Sequence, residues 1–349
     1  MSQTAIVILN WNGAHFLQKF LPSVLAHSRM EGVRVVIADN GSTDHSAELV
    51  EKDFPEAELI RLDKNYGFTG GYNRALKQIS ADYYLLLNSD IEVPEGWLEP
   101  LIRFMDETPG AAAVTPKIMD YYRQEYFEYA GGAGGFIDRY GYAFCRGRVF
   151  DKLEEDHGQF DRISEIFWGS GACLLVRAEL FHAAGGLDED FFAHMEEIDL
   201  CWRLKRMGYT IYYHPGSKVW HVGGGTLSKS NPAKTYLNFR NNLFLLYKNL
   251  PPERRKLVLA MRTALDLVSA LRFLFRPSIP EFKAVVRAHR DFIKNRSKYR
   301  GIHLDGEIPK STTFAEIYPA SVVLDFFLLG HKTFDSLRKQ FPGKVKMIK

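Results

Sequence analysis

Long apolar runs are missing from this 349-residue chain. No stretch of about 18 uninterrupted apolar residues occurs, so no membrane-spanning helix is expected. The nearest approaches are Leu257–Phe275, interrupted by Arg262, Asp266 and Arg272, and Ile317–Gly330, interrupted by Pro319 and Asp325. Residues 1–12 lack a basic segment and hold only a short apolar run, so no signal peptide is expected. Cysteine is scarce. Cys145, Cys173 and Cys201 are isolated, lack metal-site spacing and lie in apolar sequence, which suits reduced core residues of a cytoplasmic protein. Two phosphate-binding signatures are also absent: G-x-G-x-x-G after the first strand, and a glycine-rich run ending in Lys-Ser/Thr. A dinucleotide-dependent dehydrogenase and a P-loop nucleotidase are thereby excluded.

What remains is a globular composition, 46% hydrophobic, long enough to bury a large core. The net charge of +3 hides an asymmetry. Residues 251–349 hold 20 Lys/Arg against 9 Asp/Glu, leaving 25 against 33 for residues 1–250. A basic tail on an acidic body points to an anionic surface or to plain solvation. No nucleic-acid-binding module accompanies the charge, so no nucleic-acid partner is expected. The expected division is a catalytic domain over residues 1–250 and a basic, amphipathic helical region over 251–349.

Tyr83–Leu87 is a run of five apolar residues that fits a strand buried on both faces of a parallel sheet. It ends in Asn88-Ser89-Asp90, at the carboxyl edge where open α/β sheets bind ligands. Asp90 is a candidate ligand for Mg²⁺ or Mn²⁺, and the same residues also suit a polar turn. Thr4–Leu9 reads as a strand leading into Asn10-Trp11-Asn12-Gly13 and a helix to about His27. Val33–Ala38 is a second strand, ending in Asp39-Asn40-Gly41-Ser42-Thr43-Asp44. Asp39, at the cleft mouth, can accept from the imide N–H of uracil or thymine; Asp44 suits a helix cap better. A strand over Glu58–Leu62 precedes Asn65-Tyr66-Gly67-Phe68-Thr69-Gly70-Gly71, where glycines let backbone approach a ligand and a helix starts near Thr69.

The segments ILNWNG, ADNGSTD, NYGFTGGYNRA and LLLNSD, in this order, resemble the inverting family-2 glycosyltransferases of the GT-A fold, with the rhamnosyltransferase type nearest in pattern. The resemblance implies a mostly parallel central sheet flanked by helices, with a C-terminal helical extension. It implies a nucleotide-sugar donor lined by Asn10, Asp39, Asn40, Asn65, Gly67, Asn88 and Ser89, and a divalent cation at Asp90. Asn88-Ser89-Asp90 departs from the family's D-x-D, keeping only the last carboxylate.

Further along, a helix over Trp97–Asp106 and a strand over Ala112–Pro116 are expected. An aromatic, glycine-rich hairpin or loop follows between Tyr121 and Phe160, where Arg146 and Arg148 suit either a pyrophosphate or the surface. Trp168-Gly169-Ser170-Gly171 turns into a buried strand, and by resemblance Gly169 and Ser170 line the sugars. Residues 196–205 follow a helical period with Glu196, Glu197 and Asp199 crowding the first turn. Acids there are favoured by the helix dipole, yet three in four positions exceed what capping needs. By resemblance the second acid of the pair, Glu197, is the general base, with Glu196 as the competing assignment; Asp199 and Arg203 read as a structural i, i+4 pair.

Strands over Tyr209–Tyr213 and Val219–Trp220 lead to His221, which by resemblance completes the metal or diphosphate site. Glycines at 223–225 then precede a lid over Leu227–Lys234. The helix Lys234–Leu250 carries Arg240, placed by resemblance on the acceptor side within reach of a phosphate. Beyond Pro251-Pro252, Arg254–Phe275 and Ser278–Lys298 suit helices on a membrane surface, on the catalytic domain or in a dimer. The expected activity is metal-dependent transfer of a sugar from a UDP- or dTDP-sugar to a hydroxyl of a glycan or lipid-linked acceptor, at the inner face of the cell membrane. A nucleotidyltransferase would need a basic glycine-rich first loop, and a non-catalytic binding protein has no need of the acids at 196–199.

Overall fold

The computed structural model describes residues 2–223, 231–275, 278–299, 314–338 and 341. Strands β1 (Thr4–Asn10), β2 (Val33–Asp39), β3 (Glu58–Arg61) and β4 (Tyr83–Leu87) alternate with helices α1 (Ala14–His27), α2 (Ser46–Asp53) and α3 (Gly67–Leu76). The strands pair in parallel in the order β3-β2-β1-β4. Helices cover both faces, so β4 is buried along its whole length and needs no apolar–polar alternation. Asn10 lies opposite Asp39, and Ile8 opposite Leu87. All three polar strand ends therefore emerge along one edge.

The chain continues through β5 (Ile91–Glu92), α4 (Glu99–Glu107) and β6 (Ala111–Asp120). Four short strands follow, β7 (Gly135–Asp138), β8 (Ala143–Cys145), β9 (Arg148–Val149) and β10 (Lys152–Leu153). Next come β11 (Ser164–Ile166), β12 (Cys173–Arg177), α5 (Ala178–Ala183), α6 (Glu196–Arg206) and β13 (Thr210–His221). Strand β12 runs antiparallel between β4 and β6, completing a mixed sheet ordered β11-β13-β6-β12-β4-β1-β2-β3, with β5 on β13. The two short strands expected at 209–213 and 219–220 are one. Pro215-Gly216 looks like a terminator, but it sits in an irregularity between His214 and Lys218 while pairing to β6 resumes on either side.

Within the 121–160 segment, residues 135–153 take the hairpin alternative, as antiparallel strands of a separate small sheet. Its order is β10-β9-β8-β7-β14, and β14 (Ile317–Tyr318) comes from the far end of the chain. Helices α7 (Pro232–Asn249), α8 (Pro252–Phe275) and α9 (Ile279–Asn295) lead toward it, with α10 (Val322–Phe327) and α11 (Phe334–Arg338) after it. Buried contacts fasten this return. Asp138 accepts from Tyr140 and Tyr142 N–H locally and from Val322 N–H at 3.0 Å across the chain. Lys205 and Glu316, both buried, pair at 3.0 Å. The C-terminal segment is thus packed on the 135–153 region as well as on α7. Residues 224–226 and positions 227–230 of the expected lid lie outside the described residues; Asn231 caps α7 by accepting from Ala233 N–H.

Candidate active site

The strand ends form a hydrogen-bonded wall. Asp39 is buried, accepting from Ser42 N–H at 3.1 Å with Asn10 Nδ2 at 3.4 Å. Asn40 donates to Asn65 Oδ1 and to the Gly67 carbonyl, while its own oxygen accepts from Tyr66 N–H. Together these fix the glycine-containing turn before α3. Gly67 has φ of +72°, and a Cβ there would meet the Phe192 ring at 2.5 Å, so no larger residue fits. Asp44 caps, as expected, accepting from Ala14 and Ser46 N–H.

Asp90 meets His221 at the end of β13, the imidazole Nε2 lying 3.1 Å from Oδ1. Asn88 Nδ2 is 3.3 Å from the same nitrogen. From the other side of the ring, Glu128 Oε1 lies 3.5 Å from Nδ1. All of Asp90, His221 and Glu128 are buried. Burial pulls the His221 pKa down, but the two carboxylates outweigh it and lift it to about 10. Burial pushes Asp90 up, and the His221 charge and hydrogen bond more than reverse this, leaving it below its ordinary value. Among the described residues no three His, Cys, Asp or Glu side chains converge to hold a metal alone. A cation bound at Asp90 would displace the proton that the carboxylates hold on His221 Nε2, which frees that nitrogen as a second donor while Glu128 faces Nδ1 on the far side of the ring. That set fits a hard cation that keeps most of its shell for water and substrate oxygens. Beside it, a depression of about 450 Å³ opens between Lys19, Phe20, Tyr122 and Gly223.

The acid pair lies on the neighbouring side. Asn88 N–H donates to the Ala172 carbonyl at 2.9 Å, which ties the Asp90 turn to the 168–172 turn. A Cβ added at Gly171 would lie 3.5 Å from Phe68 and 3.7 Å from Glu197 Cβ, so this glycine borders the acids. Glu196 is buried and Glu197 half-buried, and one oxygen of each carboxyl has no hydrogen-bond partner among the described residues. Burial, helped by the adjacent Glu197 charge, raises Glu196 well above the carboxylate range. Burial raises Glu197 to about 7. Asp199 goes the other way: burial is outweighed by Arg203 and Lys248, both at 2.8 Å, which hold it at about 2. Three acids on one turn of helix therefore have two distinct jobs.

The backbone leading into this turn is strained. Phe192, His194 and Met195 have φ of 65°, 70° and 72° without being glycine. Helix α7 holds them. Asn241 donates to the carbonyls of Phe191, Ala193 and His194 at 2.8–2.9 Å. Arg240 donates to the Asp190 and Phe191 carbonyls, so its guanidinium braces this loop instead of facing an open phosphate site.

Other expected site residues also take structural places. Gly169 is a packing glycine, since a Cβ would strike Leu174 at 2.6 Å, and Ser170 Oγ accepts from Ala172 N–H within the turn. Arg146 and Arg148 are buried, the first against the Tyr213 ring and the Ala133 carbonyl, the second beside Cys145 and the Tyr129 ring. Their charge is spent inside the small sheet. Glu128, Gly171 and Asn241 were missed. Only Gly171 carried a local signal, its place in a glycine-rich turn.

Residues 5–181 match the model of Glycosyl transferase family 2. The N-acetylglucosaminyl-diphospho-decaprenol L-rhamnosyltransferase of Mycobacterium tuberculosis is 28% identical over 62% of this chain and 75% of its own length. Two solved structures share the fold. The mannosyltransferase PcManGT of Pyrobaculum calidifontis, in complex with GDP-Man and Mn²⁺, superposes with TM-score 0.53 at 14% identity, covering 84% of this chain and 87% of its own. S. aureus TarS 1–349, in complex with UDP-GlcNAc, gives 0.56 at 15% identity over 84% and 81%. With half of its length in that match and the acid pair and Asp90 at one edge of a GT-A sheet, the chain belongs to glycosyl transferase family 2, enzymes that transfer sugars in glycan synthesis.

Proposed function

We propose that the protein transfers a sugar from a UDP- or dTDP-sugar, dTDP-rhamnose first among the candidates, to a hydroxyl of a glycan or lipid-linked acceptor with inversion, at the cytoplasmic side of a membrane. The observation that carries the chemistry is Glu197: a half-buried carboxyl raised to about 7, beside a glycine turn that is hydrogen-bonded to the Asp90 loop. At neutral pH such a group is part ionised and basic enough to take a proton. The acceptor hydroxyl gives its proton to Glu197 as its oxygen bonds to the sugar's anomeric carbon, and the bond to the nucleoside diphosphate breaks on the opposite face. Burial and the neighbouring Glu197 charge favour the protonated form of Glu196, which keeps a second charge from competing. Asp39 accepts from the base imide N–H, with Asn10 fixing its carboxylate. A divalent cation, Mg²⁺ or Mn²⁺, held by Asp90 and His221 would offset the charge growing on the departing diphosphate. The acceptor class rests on the mycobacterial relative, whose own name specifies a diphospho-decaprenol.

Thermal melting with UDP, dTDP and GDP, each with and without Mn²⁺, tests the donor assignment on the native protein and on Asp90→Ala. A ligand at 100 times its dissociation constant adds about 2.7 kcal/mol. A shift with one pyrimidine diphosphate that requires metal and vanishes in Asp90→Ala supports the reading. Equal shifts with and without metal, or in the variant, would remove Asp90 from it.

A further inference from the structure

Helix α8 is built inside out. Its fully buried residues are Arg262, Asp266 and Ala270. Arg262 and Asp266 pair at 2.7 Å and are joined inside by Asn242, by Tyr142 OH and by His289 at 3.0 Å from the carboxylate. The opposite face is apolar and open. Leu257, Met261, Ala264, Val268, Leu271 and Phe275 follow one another every three or four residues and are exposed, Val268 by 65% and Phe275 by 86%. Leu267 and Leu274 widen this stripe. Arg272 stacks 5.2 Å from the Phe327 ring, which brings exposed Phe327, Leu328 and Leu329 against the same end. A water-facing helix places its apolar residues inward, and a soluble monomer rarely leaves so continuous an apolar strip uncovered.

Charge selects what covers it. Of the four acidic residues in α8 and α9, Asp266 and Glu281 are buried and Asp291 is shared with Arg287 and Arg290. Only Glu253, at the outer end, is an exposed acid, while Arg254, Lys256, Arg272, Lys283 and Lys294 are exposed cations. Two copies of this surface repel each other. An anionic lipid surface attracts it, and a 24-residue helix too polar to span can lie along such a surface with its apolar face sunk.

We infer that the outer face of α8, together with Phe327–Leu329, docks this enzyme on an anionic membrane surface. Such docking is independent of the donor and acceptor proposed above.

Co-sedimentation of the full chain with phosphatidylcholine vesicles, with and without about 30% phosphatidylglycerol, tests it. Binding is expected on the anionic vesicles, weakened by salt. Val268→Glu with Leu271→Glu should lower the partition by more than about tenfold, because it removes two apolar contacts and adds like charge to the lipid's. The charge-matched control Gln78→Glu with Gln124→Glu should bind as the native protein does. Melting temperature checks that the double variant folds, and Phe275→Ser, at the exposed end of α8, serves as a milder second variant. Absence of binding to anionic vesicles overturns the inference, as does equal binding by the double variant. A native dimer that the double variant converts to monomer, with no vesicle binding, would assign the face to a second copy instead.

Discussion

Replacing Glu197 by Gln separates catalysis from stability. The carboxyl sits at about 7 against an ordinary 4.5, so ionising it in the folded protein costs up to about 3 kcal/mol at 1.36 kcal/mol per pKa unit. Its folded pKa lies above its unfolded one. The stabilisation from holding the proton is therefore complete below about 4.5 and is lost as pH rises through 7. Gln keeps the shape of the protonated acid and never ionises. Urea denaturation should show Glu197→Gln equal to the native protein near pH 4.5 and more stable by up to about 3 kcal/mol above pH 8, where the native carboxylate must be charged. Sugar transfer should move the opposite way. Loss of a general base lowers the rate by about 10²–10⁴-fold. In the native enzyme kcat/KM should fall tenfold per pH unit below about 7, the pH at which Glu197 becomes half protonated. Glu196→Gln is the control, because burial and the Glu197 charge favour the protonated form of Glu196, which Gln mimics, so this variant should lose only a small factor. A Glu197→Gln enzyme that keeps its rate while Glu196→Gln loses it would reverse the assignment, and a pair of active variants would refute the acid-pair mechanism.

Asn241→Ala removes the side-chain donor that three loop carbonyls share, leaving Phe191 with its Arg240 bond, and should reduce kcat by about 10–100-fold with KM changed little, since it loosens the placement of Glu197 rather than substrate binding; steady-state kinetics with saturating donor decide this. Asp199→Ala leaves the buried Arg203 without its carboxylate and Lys248 with Asp188 alone, and should cost about 3 kcal/mol in urea denaturation. In the native protein the same carboxylate is depressed from 3.8 to about 2, so its contribution of about 2 kcal/mol is present above pH 3.8 and disappears as pH falls through 2.

The parallel half of the sheet was legible because its signals are local. Tyr83–Leu87 is continuous and apolar since both faces are covered, and each polar strand end falls where the strand stops being covered. The acid cluster at 196–199 was legible as an excess over capping, but its division of labour was not. Asp199 differs from Glu196 because Lys248, 49 residues later, reaches it. Arg146 and Arg148 misled because a guanidinium buried against Tyr213 or Tyr129 has the same sequence as one awaiting a phosphate. Gly169 carries a constraint that its own turn does not reveal: its neighbours Leu174 and Thr115 forbid a side chain, so packing alone is enough to require the glycine. The strand at 317–318 is two residues long and has meaning only beside Ile137 and Asp138, a pairing across 180 positions that no window along the chain contains.

Helix α7 explains how so strained an acid turn persists. A left-handed non-glycine residue costs of the order of 1–3 kcal/mol, and Phe192, His194 and Met195 lie within four positions. Such a segment relaxes unless its surroundings over-determine it. Asn241 and Arg240 fix its carbonyls from one turn of α7, and two turns on, Lys248 and Asn249 fix Asp199 at the start of α6. The loop and the helix it opens are thus gripped at both ends by one rigid element. Phe244 and Tyr247 of the same helix pack on Phe292 of α9, so the grip is itself seated on the C-terminal helices. The position of the proposed base therefore depends on chain well beyond residue 181, where the family match ends. The C-terminal helices belong to the catalytic architecture through α7, even though they hold none of the residues proposed to touch substrate.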